Sequence, residues 1–461
     1  MAMMPLAERH RLAEQVEPFR ELLWRGDDAE TPMLHIDDFS AIPFLVDISG
    51  VEEYQHRARL RARKGDFYAA VTPPTPGYEK YCGRMLGLEP VEMISATQVD
   101  PPLALSKACC EGKARARLIE IAKSGKGLTI QPFMGAEKAW ELAAIVASES
   151  EKNVTVLAPP PPVTWLANDK ATFSEIVAQL LGTDWLVEGH LAAGVDELVS
   201  ALVALAGRYD RVALKRLRCA SAMGNSVFES VVIRKQSIKE VTAEVASFLE
   251  RTEWRGDEGV FAVAWEKSEH SPSTQLWIPP QQRGPVRLDG VYEQLLAGRR
   301  GVFVGSRPST LPQAVNDSLA ESSLRVASAL QALGYIGRCS FDFILGGDPE
   351  GDFQLKFTEC NGRWGGTSTP MALLDRLLPQ GRPPYRARDF VYPGLVGAAF
   401  TDVLDLVGEE VWNHQSRKGR YLFYNTGPLR ASGKLDVIAL GTTQSEADDA
   451  LEEKLPKMLG L

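Results

Sequence analysis

The stretch FTECNGRWGGTSTP, residues 357–370, carries a carboxylate, a carboxamide and a guanidinium at Glu359, Asn361 and Arg363, two residues apart each time. Gly365 and Gly366 follow, then the hydroxyl residues Thr367, Ser368 and Thr369. The set comes directly after FQLKF, an alternating run that reads as a strand. A strand that ends in so dense a polar cluster is a rigid arm for presenting side chains.

The segment before it supplies a second acid. In SFDFIL, Phe341 and Phe343 alternate with Asp342, so the rings take one face and the carboxylate the other. The turn GGDPEG between the two runs permits an antiparallel pair that brings Asp342, Glu359 and Asn361 to one surface. Three hard oxygen donors without His or Cys suit Mg²⁺ or Mn²⁺, with water and phosphate oxygens filling the other positions. Arg363 is then placed to hold a phosphoryl or carboxylate oxygen with two donors. The alternative reading is a pair of solvated acids followed by an Asn-Gly turn.

ECNGR resembles the E-x-N-x-R signature of the ATP-grasp superfamily, and Asp342 matches the acid that the superfamily carries on the preceding strand. The resemblance implies ATP held with two divalent cations, Mg²⁺ (or Mn²⁺), on Asp342, Glu359 and Asn361. A triphosphate also needs cations. Lys170 opens a helix in NDKATF, with Asp169 as a candidate N-cap, and Lys215 ends the strand VALKRL. Taken alone, Lys215 is equally a strand lysine reaching along the surface. Both lysines match nucleotide-binding positions of the superfamily. The loop CASAMGNS after Lys215 matches its phosphate-covering lid, which assigns Ser221, Met223, Gly224, Asn225 and Ser226 to the nucleotide. This lid has one glycine where many relatives have two or three. Trp265 and Glu266, after the strand GVFAVA, take the places of the adenine hinge and of the acid that holds the ribose. The acid usually found just ahead of Glu266 is replaced by Ala264 or Trp265.

The order SPSTQLWIPP, VYEQLLAGRRGVFVGS, GRCSFDFIL, ECNGRWGGTSTP resembles peptide ligases of the pheganomycin type over roughly residues 125–400. That resemblance implies an amide-forming ligase working through an acyl phosphate on a small-molecule or peptide carboxylate and amine, with Lys215 and Arg363 stabilising charge on the transferred group. A thiol or alcohol acceptor is the alternative, and a nucleotide-binding scaffold without turnover is a third. Dimers are common in the superfamily, so a homodimer is an expectation of the resemblance alone. The stretch WGGTSTP also reads as a helix start, with Ser368 or Thr369 capping and Pro370 in the first turn.

Around this core the chain reads as α/β. It has 461 residues, 44% apolar and 24% charged, which allows two to four structural units. From about 126, GLTIQPF, EKAWELAAIVASES and NVTVLAP alternate strand, helix, strand, as in a parallel Rossmann-like unit. Prolines 159–162 close it, giving an N-terminal pre-ATP-grasp domain over 1–162. An ATP-grasp domain over 163–385 divides into a lid-bearing part (163–265) and a metal-binding part (266–385). A strand–strand–helix extension covers 386–461. Residues 6–25 show helical spacing, and strands are expected at PFLVDI (43–48), VEMISA (91–96) and VFESVVI.

A net charge of −9 argues against a nucleic-acid partner. No run approaches eighteen apolar residues, so no membrane span is expected. The start, MAMMPLAERHRLAEQ, lacks an apolar leader core. The six cysteines form no C-x-x-C pair, and together these features lead us to expect a reducing cytoplasm. Cys109-Cys110 reads as two small apolar residues on a helix, and Cys360 as facing away from the proposed ligands. SGKG at 124–127 lacks the first glycine and the Ser/Thr of a Walker loop, and no G-x-G-x-x-G follows a strand.

Overall fold

The computed structural model describes residues 4–26, 31–43, 45, 50–101, 103–219, 223–266, 268–298 and 301–461. The expected strand at 43–48 falls largely outside these residues, as does Ser221.

Three sheets organise the chain. The first holds β1 (Met33–Ile36), β2 (Phe67–Ala70), β3 (Glu92–Ser95), β4 (Leu128–Pro132) and β5 (Val154–Val156), in the order β3-β2-β1-β4-β5. Every pairing is parallel. β4 and β5 are buried along their whole length, as expected where helices cover both faces. The helix Glu137–Ser150 packs Trp140, Leu142, Ala143 and Val146 against them. β1 and β2 leave no signal in the sequence, because each spans four residues, too few for a period to show. The helical spacing of residues 6–25 yields only short helices, Met4–Arg9 and Leu12–Val16, because Arg11 turns the backbone at φ 48°.

The second sheet is antiparallel: β6 (Gly189–Ala192), β7 (Arg211–Arg216), β8 (Asn225–Glu229) and β9 (Val260–Ala264), in the order β6-β9-β7-β8. The helices Val195–Ala206 and Ile238–Arg251 cover it with Leu198, Leu202, Val241, Val245 and Phe248. The expected strand VFESVVI stops at Glu229, and Ser230–Ile233 turns into a helix that packs Ile233 into the same core.

The third sheet has eight strands: β10 (Pro272–Ile278), β11 (Arg287–Ala297), β12 (Val302–Pro308), β13 (Gly337–Gly347), β14 (Phe353–Asn361), β15 (Tyr385–Val391), β16 (Tyr421–Asn425) and β17 (Lys434–Leu440). Their order is β14-β13-β10-β11-β12-β15-β17-β16. β12 pairs with β15, so the hydrogen-bonded sheet runs on across residue 386 into the C-terminal strands. The β11–β12 hairpin escapes a reading by alternation because polar residues such as Asp289, Glu293 and Gln294 interrupt it. The helices Lys170–Leu181 and Gln313–Ala332 bury one face of the β10–β14 part, with Phe173, Val315, Leu319 and Val326 against Phe341, Phe343 and Phe357.

Candidate functional site

β13 and β14 pair antiparallel, with Asp342 opposite Glu359 and Ser340 opposite Asn361. The register shifts between Asp342 and Phe343, so Thr358 is an extra residue on β14. Strict alternation would put Phe357 on the same face as Glu359. The bulge separates them: Phe357 packs on Phe343 at 4.2 Å in the core while Glu359 stands beside Asp342. Thr358 fastens the bulge by donating its hydroxyl to the Asp342 carbonyl at 3.1 Å.

The carboxylates face a cavity of about 460 Å³ between the four-stranded and eight-stranded sheets. It collects eight of the expected residues: Lys170, Lys215, Gly224, Asn225, Trp265, Glu266, Asp342 and Glu359. Lys170 Nζ lies 3.0 Å from Glu359 Oε2 and donates to the carbonyls of Cys219 (3.1 Å) and Leu217 (3.4 Å) at the base of the lid hairpin. Its position follows from the helix start, where Asp169 caps Ala171 and Thr172 as the sequence indicates.

Lys215 leaves the end of β7 with its ammonium 5.1 Å from the Trp265 ring centre. It forms no ion pair with any described residue. Burial pulls its pKa down to about 8, against the opposing pull of Glu359. Burial pushes Asp342 up to about 7, and the charge of Glu359 adds to this. Burial acts in the same direction on Glu359, but Lys170 and Lys215 outweigh it and hold that carboxyl below its ordinary value. Glu359 is therefore held ionised while Asp342 is pushed toward its protonated form, and a divalent cation would favour the charged form of both.

Asn361 donates its Nδ2 to Asp342 Oδ2 at 2.8 Å. The donor set is two carboxylates and a carboxamide, all of oxygen, which fits Mg²⁺ or Mn²⁺. Among the described residues no group of three or more His, Cys, Asp and Glu side chains forms a protein-only metal cage. Arg363 lies outside the main cavity, in the adjoining crevice with Phe133 and Trp364. It has no ion pair among the described residues, and burial lowers its pKa against the pull of Glu359 and Asp342.

Other expected contacts are placed differently. Met223 and Ser226 do not line the cavity. Arg251 binds the Met223 carbonyl at 3.3 Å and the Ser226 hydroxyl at 2.8 Å, which ties the lid hairpin to its own helix. Gly224 has a packing role: a Cβ there would come within 2.4 Å of Cys219 Cβ. Glu266 lines the cavity but is held by Lys356 Nζ at 2.6 Å. Ser368 and Thr369 fall within the helix Ser368–Leu377, so neither is its cap, and Ser368 Oγ accepts from Gly365 N at 2.6 Å. All six cysteines are free. Cys109, Cys110 and Cys360 are buried, Cys360 in the core away from the ligands. Sequence reading missed Arg211, His270 and Gln294, which also line the cavity. They carry no motif, and only strand order brings them there.

An open cleft of about 700 Å³ lies among Arg382, Trp412, Arg417, Arg420 and Glu446. Arg420 is paired with Glu410 and Glu446, and Arg382 with Asp375. Its buried-side cations are already satisfied, so it lacks the poised charge of the first site.

No family model matches the chain, and no curated protein does. Solved structures match over nearly its whole length. N5-carboxyaminoimidazole synthase of Aspergillus clavatus, in complex with ADP and 5-aminoimidazole ribonucleotide, is 12% identical, with a TM-score of 0.57 over 94% of this chain and 99% of that one. N5-carboxyaminoimidazole ribonucleotide synthetase of Thermus thermophilus is 14% identical (TM-score 0.52, 92% and 98%). The biotin carboxylase of Campylobacter jejuni, in its beta-gamma-ATP complex, is 12% identical (TM-score 0.54, 90% and 89%). At these identities the likeness concerns architecture. The chain has the ATP-grasp fold, with a parallel sheet ahead of it.

Proposed function

We propose that the protein is an ATP-dependent carboxylate–amine ligase. The observation that carries this is the unpaired ammonium of Lys215 in a cavity that also holds Lys170, Glu359 and Asp342. A half-buried cation still loses part of its hydration, and here the protein supplies too little negative charge close to Lys215 to offset that loss. A triphosphate with a divalent cation supplies it. Two of the similar structures are an ADP complex and a beta-gamma-ATP complex, which supports the same ligand class.

In this reading Lys215 and Lys170 bind phosphate oxygens, and Trp265 and Glu266 meet the nucleoside. Asp342, Glu359 and Asn361 hold Mg²⁺, which neutralises charge on the phosphates when bound. Arg363 steadies the substrate oxygen that attacks. That carboxylate oxygen forms a bond to the γ-phosphorus as the bridging bond to ADP breaks. The amine nitrogen then bonds to the acyl carbon, phosphate departs with the electrons of the carbon–oxygen bond, and the amine loses a proton to solvent. The loop over 219–227, which the resemblance matches to a lid, would exclude water that hydrolyses the activated acyl group. The resemblance to pheganomycin-type ligases favours an amino acid or peptide as one partner; the unpaired cysteines favour a reducing cytoplasm, and the superfamily's habit favours a homodimer.

The test is ADP release with ATP, Mg²⁺ and a panel of amino acids and short peptides. Release that requires both a carboxylate and an amine supports the reading. Binding of ATP without release under any pairing overturns the ligase assignment in favour of a nucleotide-binding scaffold. Release with a thiol or alcohol but no amine reassigns the acceptor.

A further inference from the structure

The strand order of the parallel N-terminal sheet reverses between β1 and β4: β2 and β3 lie to one side of β1, β4 and β5 to the other. In doubly wound sheets the crevice beyond the carboxyl ends of such a strand pair is where a ligand sits. Here the space is filled by the chain itself. Trp364, 7% exposed, donates its backbone N–H to the carbonyl of Phe133 just past β4, at 3.0 Å. Its indole lies 4.5 Å from the Arg61 guanidinium. Arg61 in turn makes a two-pronged ion pair, at 2.5 and 3.1 Å, with Asp37 just past β1. A second guanidinium, that of Arg338 on β13, stands 5.4 Å from the same ring and is paired with Asp289. The space left among Phe133, Arg338, Arg363 and Trp364 is about 10 Å³, room for one water at most.

Trp364 follows Arg363 directly, and the same loop is gripped from the other side. Gly362 donates to Asn168 Oδ1 at 2.9 Å, and Asn168 Nδ2 returns to the Gly362 carbonyl at 3.4 Å. A Cβ at residue 362 would come within 2.6 Å of Asn168 Nδ2, so the clasp requires glycine there. Between these fixed points the Arg363 guanidinium rests 5.9 Å from the Phe133 ring centre, with no ion pair of its own.

We propose that Trp364 is a positioning residue. It seats the loop bearing Asn361 and Arg363 in the switch-point crevice of the N-terminal sheet, which thereby serves as a socket for catalytic side chains. The proposal rests on the ligase reading above. It assigns a role to the first 135 residues that no motif in them discloses. The Arg61–Asp37 pair fixes the ring, the ring fixes the main chain at 364, and Arg363 inherits its place one residue earlier. Loosening the ring should leave the nucleotide cavity alone, because Trp364 does not line it.

The experiment uses the full chain with ATP, Mg²⁺ and a mixture of the twenty amino acids. Trp364→Leu is expected to lower kcat for ADP release about a hundredfold, the scale for a displacement of about 1 Å at reacting groups, with KM for ATP unchanged. Trp364→Phe keeps a ring in the socket and should recover most of that loss. Asp37→Asn, which removes no packing volume, should lower kcat in the same way by loosening Arg61. Wild-type kcat in Trp364→Leu, or a rise in KM for ATP equal to the fall in kcat, overturns the proposal. A readout independent of turnover is amide hydrogen exchange without nucleotide. In Trp364→Leu or Asp37→Asn, exchange should rise in 361–366 and 131–135 together and stay unchanged in the helix Gln313–Ala332. Unchanged exchange in 361–366 overturns the socket even if turnover falls. A wild-type chain that binds no ATP overturns the ligase reading and leaves the exchange result to decide the socket.

Discussion

The molecule contains two partly buried clusters of opposite charges, and they differ in one respect. At the junction of residues 51–60 with the C-terminal strands, Arg57 pairs with Asp436, and Lys434 pairs with Asp389 at 2.7 Å. Asn425 adds a hydrogen bond to Asp436 at 2.8 Å, and Tyr54 lies under both cations. Every charge there has a partner. In the cavity between the sheets Lys170 and Glu359 pair, but Lys215 there, and Arg363 in the adjoining crevice, have no ion pair among the described residues. Partial burial does not by itself distinguish a structural ion network from a ligand site, since both clusters hold half-buried charges. The unmatched cation does.

The comparison breaks most visibly at Glu359. Glu359→Gln removes a cation ligand while Lys170 keeps the carbonyls of Leu217 and Cys219. ADP release should fall about a thousandfold, the upper range for loss of one electrostatic stabiliser, with the urea midpoint near that of wild type. If Glu359→Gln instead unfolds the protein and leaves the activity of the folded fraction intact, the cavity cluster is structural. Asp436→Ala should do the converse. It leaves Arg57 buried without its carboxylate, and removal of one partner of a buried pair costs about 4 kcal/mol. Urea unfolding should show that loss at unchanged kcat.

A pH titration sharpens the contrast further. Burial raises Asp389 to about 6, and the neighbouring Asp436 adds to the shift. The folded state therefore binds this proton more tightly than the unfolded state. The stabilising contribution is fully present below about pH 4 and is lost as pH rises through 6, up to about 3 kcal/mol for a shift of about 2 units. Asp389→Asn should flatten that part of the stability curve. A wild-type curve with no such slope that Asp389→Asn removes would mean that Asp389 is ionised in the fold with little cost.

The β13–β14 hairpin that carries the proposed cation ligands was legible in the sequence because its signals are local. Alternation sets Asp342 against Phe341 and Phe343, the turn GGDPEG joins the strands, and ECNGR follows within a few residues. Lys170 was legible through the cap that places it. The bulge at Thr358 was not, since nothing in FQLKFTECN marks an extra residue; it is imposed by Phe357 entering the core. The switch-point socket was hidden for a similar reason. Trp364, Arg61, Asp37 and Phe133 lie far apart in the chain and carry no shared motif. Only the strand order of the parallel sheet brings them together. The strands β1, β2, β11 and β12 were too short, or too mixed in polarity, for a period to appear.

The smallest expected effect is also the one that tests the criterion itself. Lys215→Met keeps much of the length and apolar stem of the side chain against Trp265 and deletes only the charge. In a structural network that deletion would destabilise. Here Lys215 has no ion pair to lose, and its pKa is already pulled down to about 8 by burial, so removing the ammonium relieves a desolvation cost. The unfolding midpoint should hold or rise slightly. Calorimetric affinity for ATP with Mg²⁺ should fall about thirtyfold, matching about 2 kcal/mol for a hydrogen bond to a charged group. Lys215→Arg should restore part of the affinity, since charge is retained although the fork differs in shape from an ammonium. A midpoint lowered by Lys215→Met with unchanged affinity would show that an unpaired buried cation in this fold is a core element, and the distinction drawn between the two clusters would fail.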